Sequence, residues 1–506
     1  MELNLKKEAV AACELLLDSA AEQTIECDVL LPDYCPDIVR VLCCGIDAAV
    51  SDCRTNKTTF TIEGTANVEI CYMADVGGVR RTCYSIPFSK SFEMRAQPQK
   101  PIWSVNVRQG HTNCRAASKR RLDIRGAIVV SAKVYETAGE SAVVDAEGSG
   151  IQLCRSEKNA VEIIRQLQRQ MTFAEAVIVP PGKAMPVEIV AVRCSPFVSE
   201  IRVMASRILL KGELAVHMLY KTDPDAGMME TADYNLPISQ VFDDDGLSDD
   251  MRCTAWLKCI SAECSADDFS DDGQLRLEAR LMADIRLYRP IRLVGAIDSF
   301  STLYPTENSV ADLKIPTDIY PVMQREAVKH SAGAPQGIMD IIDVKADILE
   351  YAAENSGENT DISAKVKFTA IISTEDTAAD TFIAICDART MLPIRGRNCE
   401  LLITPVTSNA YSRLMGDQIE FGCDMTVSGT AIEWENQQLI TDLAVDQTVN
   451  KSSDPSLGLI VYYAEAGERV WDIAKRFGSL PQKIIEDNGL KADIIETDMP
   501  VMIPTV

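Results

Sequence analysis

Apolar and polar side chains alternate along most of this chain. The alternation is clear from Phe60 to Ile70 and again from Leu275 to Leu287, where many apolar residues stand at every second position. A two-residue period is typical of β-strands that bury one face. Turn-forming stretches such as Gly77-Gly78 separate the runs, as antiparallel hairpins require. The pattern therefore predicts a mainly β chain.

The alternating segments recur along the chain. Residues 59–88 match residues 207–238 at an offset of 148, and the offset becomes 153 further downstream. A third, more divergent copy follows at offsets of 152 and 144. Several matched positions keep their residue type: Gly64 and Gly212, Trp103 and Trp256, Tyr135 and Tyr288, and Asp145, Asp298 and Asp442. The recurrence predicts three tandem β-rich repeats, each sandwich or barrel-like.

Two segments instead have apolar residues at the three-to-four-residue spacing of an amphipathic helix. Residues 156–171 begin with a serine suited to an N-cap and carry one apolar stripe, made of Val161, Ile164, Leu167 and Met171. Residues 6–21 carry a second stripe, made of Val10, Cys13, Leu17 and Ala21. The spacing predicts a helix that connects the first two repeats and a helical N-terminal segment.

Together these patterns predict an order of domains along the chain. We expect an N-terminal helical segment (1–24), a first repeat (25–153), a connecting helix (154–172), a second repeat (173–305), a linker (306–336), a divergent third repeat (337–449), a second linker (450–457) and a small C-terminal domain (458–506). A chain of 506 residues is too long for one hydrophobic core, so several domains agree with its length.

The formal net charge of −25 restricts the classes of partner. Such an acidic chain would repel the phosphate backbone of nucleic acid, and no run of lysine and arginine offsets the charge locally. The first residues lack the apolar stretch of a signal peptide, and no run of about 18 apolar residues occurs. We therefore expect a cytoplasmic protein with no transmembrane segment and no nucleic-acid partner.

The spacing of reactive side chains does not favour metal binding or catalysis. The 17 cysteines form no CxxC pair and the 3 histidines are scattered, so no zinc ligand set is recognisable. The acidic clusters 243–250 and 267–272 lack the D-x-D-x-D-G spacing of a calcium loop. No nucleophile or general acid recurs with the repeated Trp and Asp positions. We expect no metal, no cofactor and no enzymatic activity, and we interpret the cysteines as reduced thiols.

A family resemblance begins at residues 25–42, IECDVLLPDYCPDIVRVL. Together with the repeated strand-Gly-strand-Tyr pattern around Gly64 and Tyr72, and again around Gly212 and Tyr220, this segment resembles the SPOCS domain of spore coat morphogenesis proteins. The first two copies match the SPOCS pattern well, and the third copy matches it less closely.

The C-terminal segment carries a second, denser motif. The matching positions are Tyr462, Gly467, Trp471, Ile473, Ala474, Phe477, Asn488, Ile503 and Pro504. This set resembles a LysM domain over essentially its whole length, although Glu468 replaces the usual aspartate and Ala464 the usual valine. The resemblance implies a small βααβ domain. The motif leaves open whether Trp471 is a core residue or a ligand contact.

The resemblance to tandem SPOCS domains followed by LysM implies a protein-binding coat scaffold. It implies that a stage IV sporulation protein A-type ATPase binds the LysM groove, which links coat assembly to the forespore surface in the mother-cell cytosol. Other coat proteins are possible partners. The alternative ligand is the N-acetylglucosamine of peptidoglycan, which the missing export signal disfavours. The candidate binding residues are Ala466, Gly467, Glu468, Arg469, Val470, Trp471, Asn488, Gly489, Leu490 and Lys491.

Overall fold

The computed structural model describes residues 3–137, 139–223, 228–265, 274–396, 398–451 and 459–504. Strands dominate this part of the chain, and its only two helices lie near the C-terminus, which confirms the mainly β fold class. Neither helix has the length and hydropathy needed to cross a membrane. The acidic cluster 267–272 and most of the expected linker 450–457 lie outside the described residues.

Each repeat has the same six strand positions. In the first repeat, the first and the last of these strands are each interrupted, which gives eight strands. The first repeat contains β1 (Asn4–Ala9), β2 (Glu14–Leu30), β3 (Ile38–Asn56), β4 (Thr59–Ala74), β5 (Val79–Glu93), β6 (Pro101–Ser118), β7 (Arg121–Glu136) and β8 (Ser141–Glu147). The second contains β9 (Ile151–Ile178), β10 (Glu188–Met204), β11 (Arg207–Lys221), β12 (Met229–Asp243), β13 (Arg252–Ser265) and β14 (Gln274–Ser301). The third contains β15 (Thr306–Gly333), β16 (Ile338–Ser356), β17 (Asn359–Thr374), β18 (Asp380–Pro393), β19 (Cys399–Met415) and β20 (Gln418–Val445).

Each repeat folds into two three-stranded antiparallel sheets, and in the first repeat β1 and β8 form a further two-stranded sheet. The sheet orders are β2-β7-β6 and β3-β4-β5 in the first repeat, β9-β14-β13 and β10-β11-β12 in the second, and β15-β20-β19 and β16-β17-β18 in the third. In the first repeat, Phe60 and Ile62 of β4 share one buried core with Leu122 and Ile124 of β7. Each repeat is therefore a small sandwich. The sheets stay separate in the described chain, so the barrel-like alternative does not hold.

Both helices expected in the first half of the chain are wrong. Residues 156–171 lie inside the strand β9, and residues 6–21 lie in β1, in β2 and in the short segment between them. The cause in β9 is one extra residue, Ile164, which falls between two residues that pair with consecutive positions of β14. A bulge of this kind shifts the inward and outward alternation by one residue. Apolar residues on either side of it therefore stand at helix-like spacing.

The bulge recurs at the same place in all three repeats. The extra residue in the first strand is Leu16, Ile164 or Thr317, at offsets of 148 and 153. A second extra residue interrupts the last strand at Val144, Ile297 or Thr441, at offsets of 153 and 144. The first strand of each repeat thus begins well before the expected boundary. Most of the expected linker 306–336 is the strand β15, which is a correction to the predicted domain borders.

The first and last strands of each repeat extend beyond their own sandwich and pack together. We call this three-repeat assembly of strand pairs the stem. Its buried residues come from all three repeats, and those nearest the sandwiches are Cys13, Ile102, Tyr135, Val161, Ile163, Tyr288, Ile319, Ile432 and Trp434. Two further apolar clusters continue the stem away from the sandwiches.

The three sandwiches close into a ring around the stem axis. The strand β5 lies against β10, β12 lies against β16, and β18 lies against β3, so each repeat contacts the next and the third returns to the first. The three copies are therefore related by an approximate threefold axis within one chain. The ring forms a single body rather than three separate domains on linkers.

The C-terminal module comprises β21 (Leu459–Ala464), α1 (Val470–Phe477), α2 (Pro481–Asn488) and β22 (Met499–Pro504). Its order is the expected βααβ. The two strands pair antiparallel, and both helices end at a glycine with positive φ, Gly478 at 66° and Gly489 at 61°. A left-handed glycine at this position satisfies the last carbonyls of a helix without steric strain.

We expect Gly212→Ala to destabilise the second repeat. A Cβ at Gly212 would lie 2.0 Å from the Phe197 carbonyl oxygen, because β10 crosses closely at its bulge. The backbone must move to relieve this overlap, so the loss of stability should be about 2–4 kcal/mol in denaturant unfolding. Gly333→Ala is the matched control, since no atom lies within 4 Å of its added Cβ. Equal stability of the two variants would contradict this packing.

Candidate functional site

The turn before α1 is held by backbone and carboxylate hydrogen bonds. Gly467 has a φ of 96°, which favours glycine, and its N–H donates to the Ile495 carbonyl at 2.8 Å. The Glu468 carboxylate accepts from the Tyr462 hydroxyl at 3.0 Å and from the Glu465 N–H at 3.0 Å. Glu468 thus braces the turn, which explains why an acidic residue is present there.

Trp471 faces the second repeat rather than solvent. Only 6% of its surface is exposed. Its ring meets Phe300 at an edge-to-face centroid distance of 5.0 Å, and its Nε1 donates to Asp298 Oδ2 at 2.8 Å. Lys475, one helical turn further along α1, donates to both oxygens of the Asp298 carboxylate at 2.7 and 2.8 Å. We call this set of contacts, between Trp471 and Lys475 on α1 and Asp298 and Phe300 on β14, the dock.

The dock keeps Asp298 ionised. Burial by itself would raise the pKa of this carboxyl group. The hydrogen bonds from Lys475 and Trp471, together with the positive charge of Lys475, outweigh burial and hold the pKa of Asp298 below its usual value. The carboxylate therefore stays charged at neutral pH and remains an acceptor for both side chains.

The two remaining turn residues, Arg469 and Val470, differ in exposure. Val470 is fully buried in the core of the module. Arg469 pairs with Asp493 at 3.1 Å and donates to the Cys154 thiol of β9 at 3.6 Å, while 45% of its side chain stays exposed. The backbone contacts of the turn go to residues 493–495 rather than to the expected loop 488–491.

Asn488 has a structural role. Its side-chain amide donates to the carbonyls of Ile484 at 2.8 Å and Met502 at 2.7 Å, and its Oδ1 accepts from the Met502 N–H at 2.7 Å. These bonds join the end of α2 to β22. Of the ten candidate residues, five are exposed, three are partly buried, and Val470 and Trp471 are buried; the exposed ones are Ala466, Gly467, Arg469, Gly489 and Lys491.

The recurring aspartates each follow the bulge in the last strand of a repeat. The carboxylates of Asp145, Asp298 and Asp442 accept the N–H of the next residue at 3.0, 2.9 and 3.0 Å. Each also accepts from a cation, but Asp145 pairs with Arg155 and Asp442 pairs with Lys7 of β1. Only Asp298 binds the module. Its recurrence is visible in the sequence, whereas no local signal joins it to its partners Trp471 and Lys475.

A cavity of about 980 Å³ lies where the three sandwiches meet, lined chiefly by the second and fifth strands of each repeat. Charged side chains from all three repeats bridge its wall. Arg193 pairs with Asp343 at 2.6 Å and approaches Glu69 to 3.7 Å. His217 reaches Asp343 at 2.9 Å through Nε2 and Asp233 at 2.7 Å through Nδ1. These pairs fasten neighbouring repeats to one another.

The two carboxylates determine the charge of His217. Burial opposes protonation of this imidazole, but hydrogen bonds to Asp233 and Asp343 and the charge of Asp343 raise its pKa to about 9. The imidazole is therefore protonated at neutral pH, and both of its nitrogens donate hydrogen bonds. Arg193 and His217 in turn hold the pKa of the buried Asp343 well below its usual range.

The geometry defines a class of protein, a ring of β-sandwich repeats with one small βααβ module docked on its stem. Comparison with known families makes this more specific. The family described as SipL, SPOCS domain, matches residues 187–266, which lie within the second repeat. The chain is similar to SipL over this segment, and the match indicates a sporulation-related protein. No curated protein and no solved structure matches the chain.

We expect the stability of the ring to fall as pH rises through about 9. The folded-state pKa of His217 is raised, so its stabilisation is complete below the unfolded pKa, about 6.5. The stabilisation is lost as the imidazole deprotonates. The difference in unfolding free energy between the wild type and His217→Gln should be up to about 3 kcal/mol near pH 6 and small above pH 10. His111→Gln, at an exposed position, is the control. A difference that does not vary with pH would contradict a charged His217.

We also expect Asn488→Ala to destabilise the module by about 2 kcal/mol, because backbone groups of α2 and β22 lose their partners. Hydrogen exchange of residues 481–504 in the full chain would measure the effect. The neighbouring Asp487 is exposed, so Asp487→Ala should leave exchange unchanged. Unchanged exchange in Asn488→Ala would contradict this structural role.

Proposed function

We propose that this chain is a non-enzymatic scaffold in spore coat assembly, and that its C-terminal module binds a protein partner. The observation that carries the proposal is the SPOCS match within a ring of three repeats on which one module is docked. A ring of packed repeats with a separate small module suits a protein that positions other proteins. The resemblance to LysM-bearing coat proteins suggests a stage IV sporulation protein A-type ATPase as the partner, at the forespore surface in the mother-cell cytosol.

The accessible part of the candidate surface lies on the turn and on the loop after α2. Ala466, Gly467 and Arg469 are exposed in the turn, and Gly489 and Lys491 are exposed in the loop. These positions combine two basic side chains with small residues that let a partner approach the backbone. A protein with acidic groups at its binding surface would complement the two cations.

The glycan alternative receives less support from the geometry. Sugar rings are commonly recognised by stacking on an open aromatic face, as aromatic rings present apolar area together with a polar edge. The indole of Trp471 is covered by Phe300 and its N–H is bonded to Asp298. The docked module therefore does not offer the indole of Trp471 to a glycan.

Charge reversal at the loop tests the proposal. We expect Lys491→Glu to weaken binding of the purified stage IV ATPase to the full chain about fivefold, as loss of a charge at an interface rim commonly does. Lys483→Glu is the control, because Lys483 is an exposed lysine in α2 outside the loop. Sedimentation with peptidoglycan sacculi should be negligible for all three proteins. Strong sedimentation that Lys491→Glu abolishes, with ATPase binding unchanged, would favour the glycan alternative.

A further inference from the structure

The module has a core of its own, and the ring adds little to it. All but one of the buried residues in the module cluster belong to the module, and the exception is Phe300 of β14. Ser479, whose hydroxyl donates to the Pro504 carbonyl at 2.5 Å, closes the module internally. Opening of the dock would therefore expose Trp471 and Phe300 without removing the rest of the core. The module and the ring behave as two folded parts with one contact patch.

The polar part of the dock is open to solvent on one side. The side chains of Lys475 and Asp298 are 45% and 30% exposed. Water and salt screen such an ion pair, so it contributes much less than a fully buried pair. The apolar part consists of the contact between the aromatic rings of Trp471 and Phe300, with Cys154 of β9 packed against the same core. A contact of this size can open and close without unfolding either part.

The ring offers three equivalent places, yet the module occupies only one. The equivalent carboxylates, Asp145 and Asp442, also follow a bulge at the end of the last strand. The residue two positions further on is Phe300 in the second repeat but Glu147 and Ala444 in the other two. Positions i and i+2 of a strand lie on the same face, so Asp298 and Phe300 present a carboxylate and an aromatic ring together. The other two repeats present the carboxylate alone.

We propose that α1 of the module is a binding surface for an extended acidic-aromatic segment, and that Asp298-Ser299-Phe300 is a copy of this ligand within the chain. Lys475 and the indole N–H of Trp471 bind the carboxylate, and the face of the indole packs on the aromatic ring two residues later. Recognition of an extended strand through alternate side chains is a common mode of peptide binding.

This inference rests on the proposed function for the claim that the ligand is a protein. A partner that carries Asp-x-Phe in an extended segment competes with the internal copy, so the dock closes the surface until the partner displaces it. The apparent affinity of a ligand falls in proportion to the fraction of molecules whose site is open. The ring thereby regulates access to α1, while the turn and the loop after α2 stay exposed.

The test uses the full chain and a synthetic peptide of residues 294–302, VGAIDSFST. Asp298→Asn retains a side-chain oxygen for the Ser299 N–H but loses the charge that Lys475 binds. We expect faster hydrogen exchange across 466–478 and about tenfold tighter peptide binding than in the wild type, as the internal copy no longer competes. Asp145→Asn changes the equivalent bulge of the first repeat and should alter neither measurement.

Two further comparisons separate specific recognition from a general opening of the protein. A peptide of residues 140–148, ESAVVDAEG, carries the aspartate without the aromatic ring and should bind the Asp298→Asn chain at least about tenfold more weakly. Exchange across 481–504, which covers α2 and β22 outside the dock, should stay slow in Asp298→Asn, because the rest of the module core is retained. Slow exchange there also shows that an Asp298→Asn chain with fast exchange across 466–478 is folded but open.

The outcomes are distinct. Unchanged exchange in Asp298→Asn would overturn the dock as a closure, and equal binding of the two peptides would overturn the acidic-aromatic specificity. These measurements involve only this chain and a peptide. If they succeed while the stage IV ATPase binds neither the wild type nor the open variant, the proposed partner is wrong and the recognition surface remains.

Discussion

The structure depends on one constraint, that the first and last strands of every repeat must serve two cores. Within the ring, each of these strands buries one face in the core of its own sandwich. Further along, it buries residues in the stem shared by all three repeats. A regular strand cannot change faces, since its side chains alternate strictly. The bulges at Leu16, Ile164 and Thr317 make the change possible, and their equal spacing in the three repeats shows that the constraint is met each time in the same way.

Charged groups at the cavity complement this apolar stem. Burial of Arg193 and Asp343 is unfavourable by itself, and pairing across the repeats offsets much of that penalty. Because Glu69 belongs to the first repeat, Arg193 and His217 to the second and Asp343 to the third, the pairs form only when the repeats stand in one cyclic order. Apolar packing alone would discriminate less strictly among three similar sandwiches. The ion pairs thus give specificity to an arrangement that the stem stabilises.

The sequence predicted the strands and the repeats well, because alternation and internal offsets report directly on buried faces and on duplicated topology. It failed where a bulge broke the alternation. Val161, Ile164, Leu167 and Met171 have the spacing of a helix only because Ile164 is the extra residue in β9. The recurring bulge also explains the misplaced domain borders, since the first strand of each repeat was assigned to a helix or a linker.

The candidate site was predicted in outline and not in its contacts. The βααβ order follows from local motifs, which the sequence displays. The burial of Trp471 depends on Asp298 and Phe300, more than 170 residues earlier in the chain, and one sequence contains no signal that joins them. Asp298 is visible in the sequence as a repeated residue, but the repetition reflects its role at the bulge, which all three copies share. Its second role arises from Phe300, which the other copies lack.

Fusion of three related sandwiches into one polypeptide has a consequence for stoichiometry. A ring assembled from three separate identical chains would have three identical strand ends and would bind three copies of any module docked there. Here the end of the last strand can differ from repeat to repeat, and equivalent positions carry Glu147, Phe300 and Ala444. The ring consequently carries one module, which docks on one of its three repeats. Any assembly built from such units inherits a single direction from each of them, although the body of the unit is nearly symmetric.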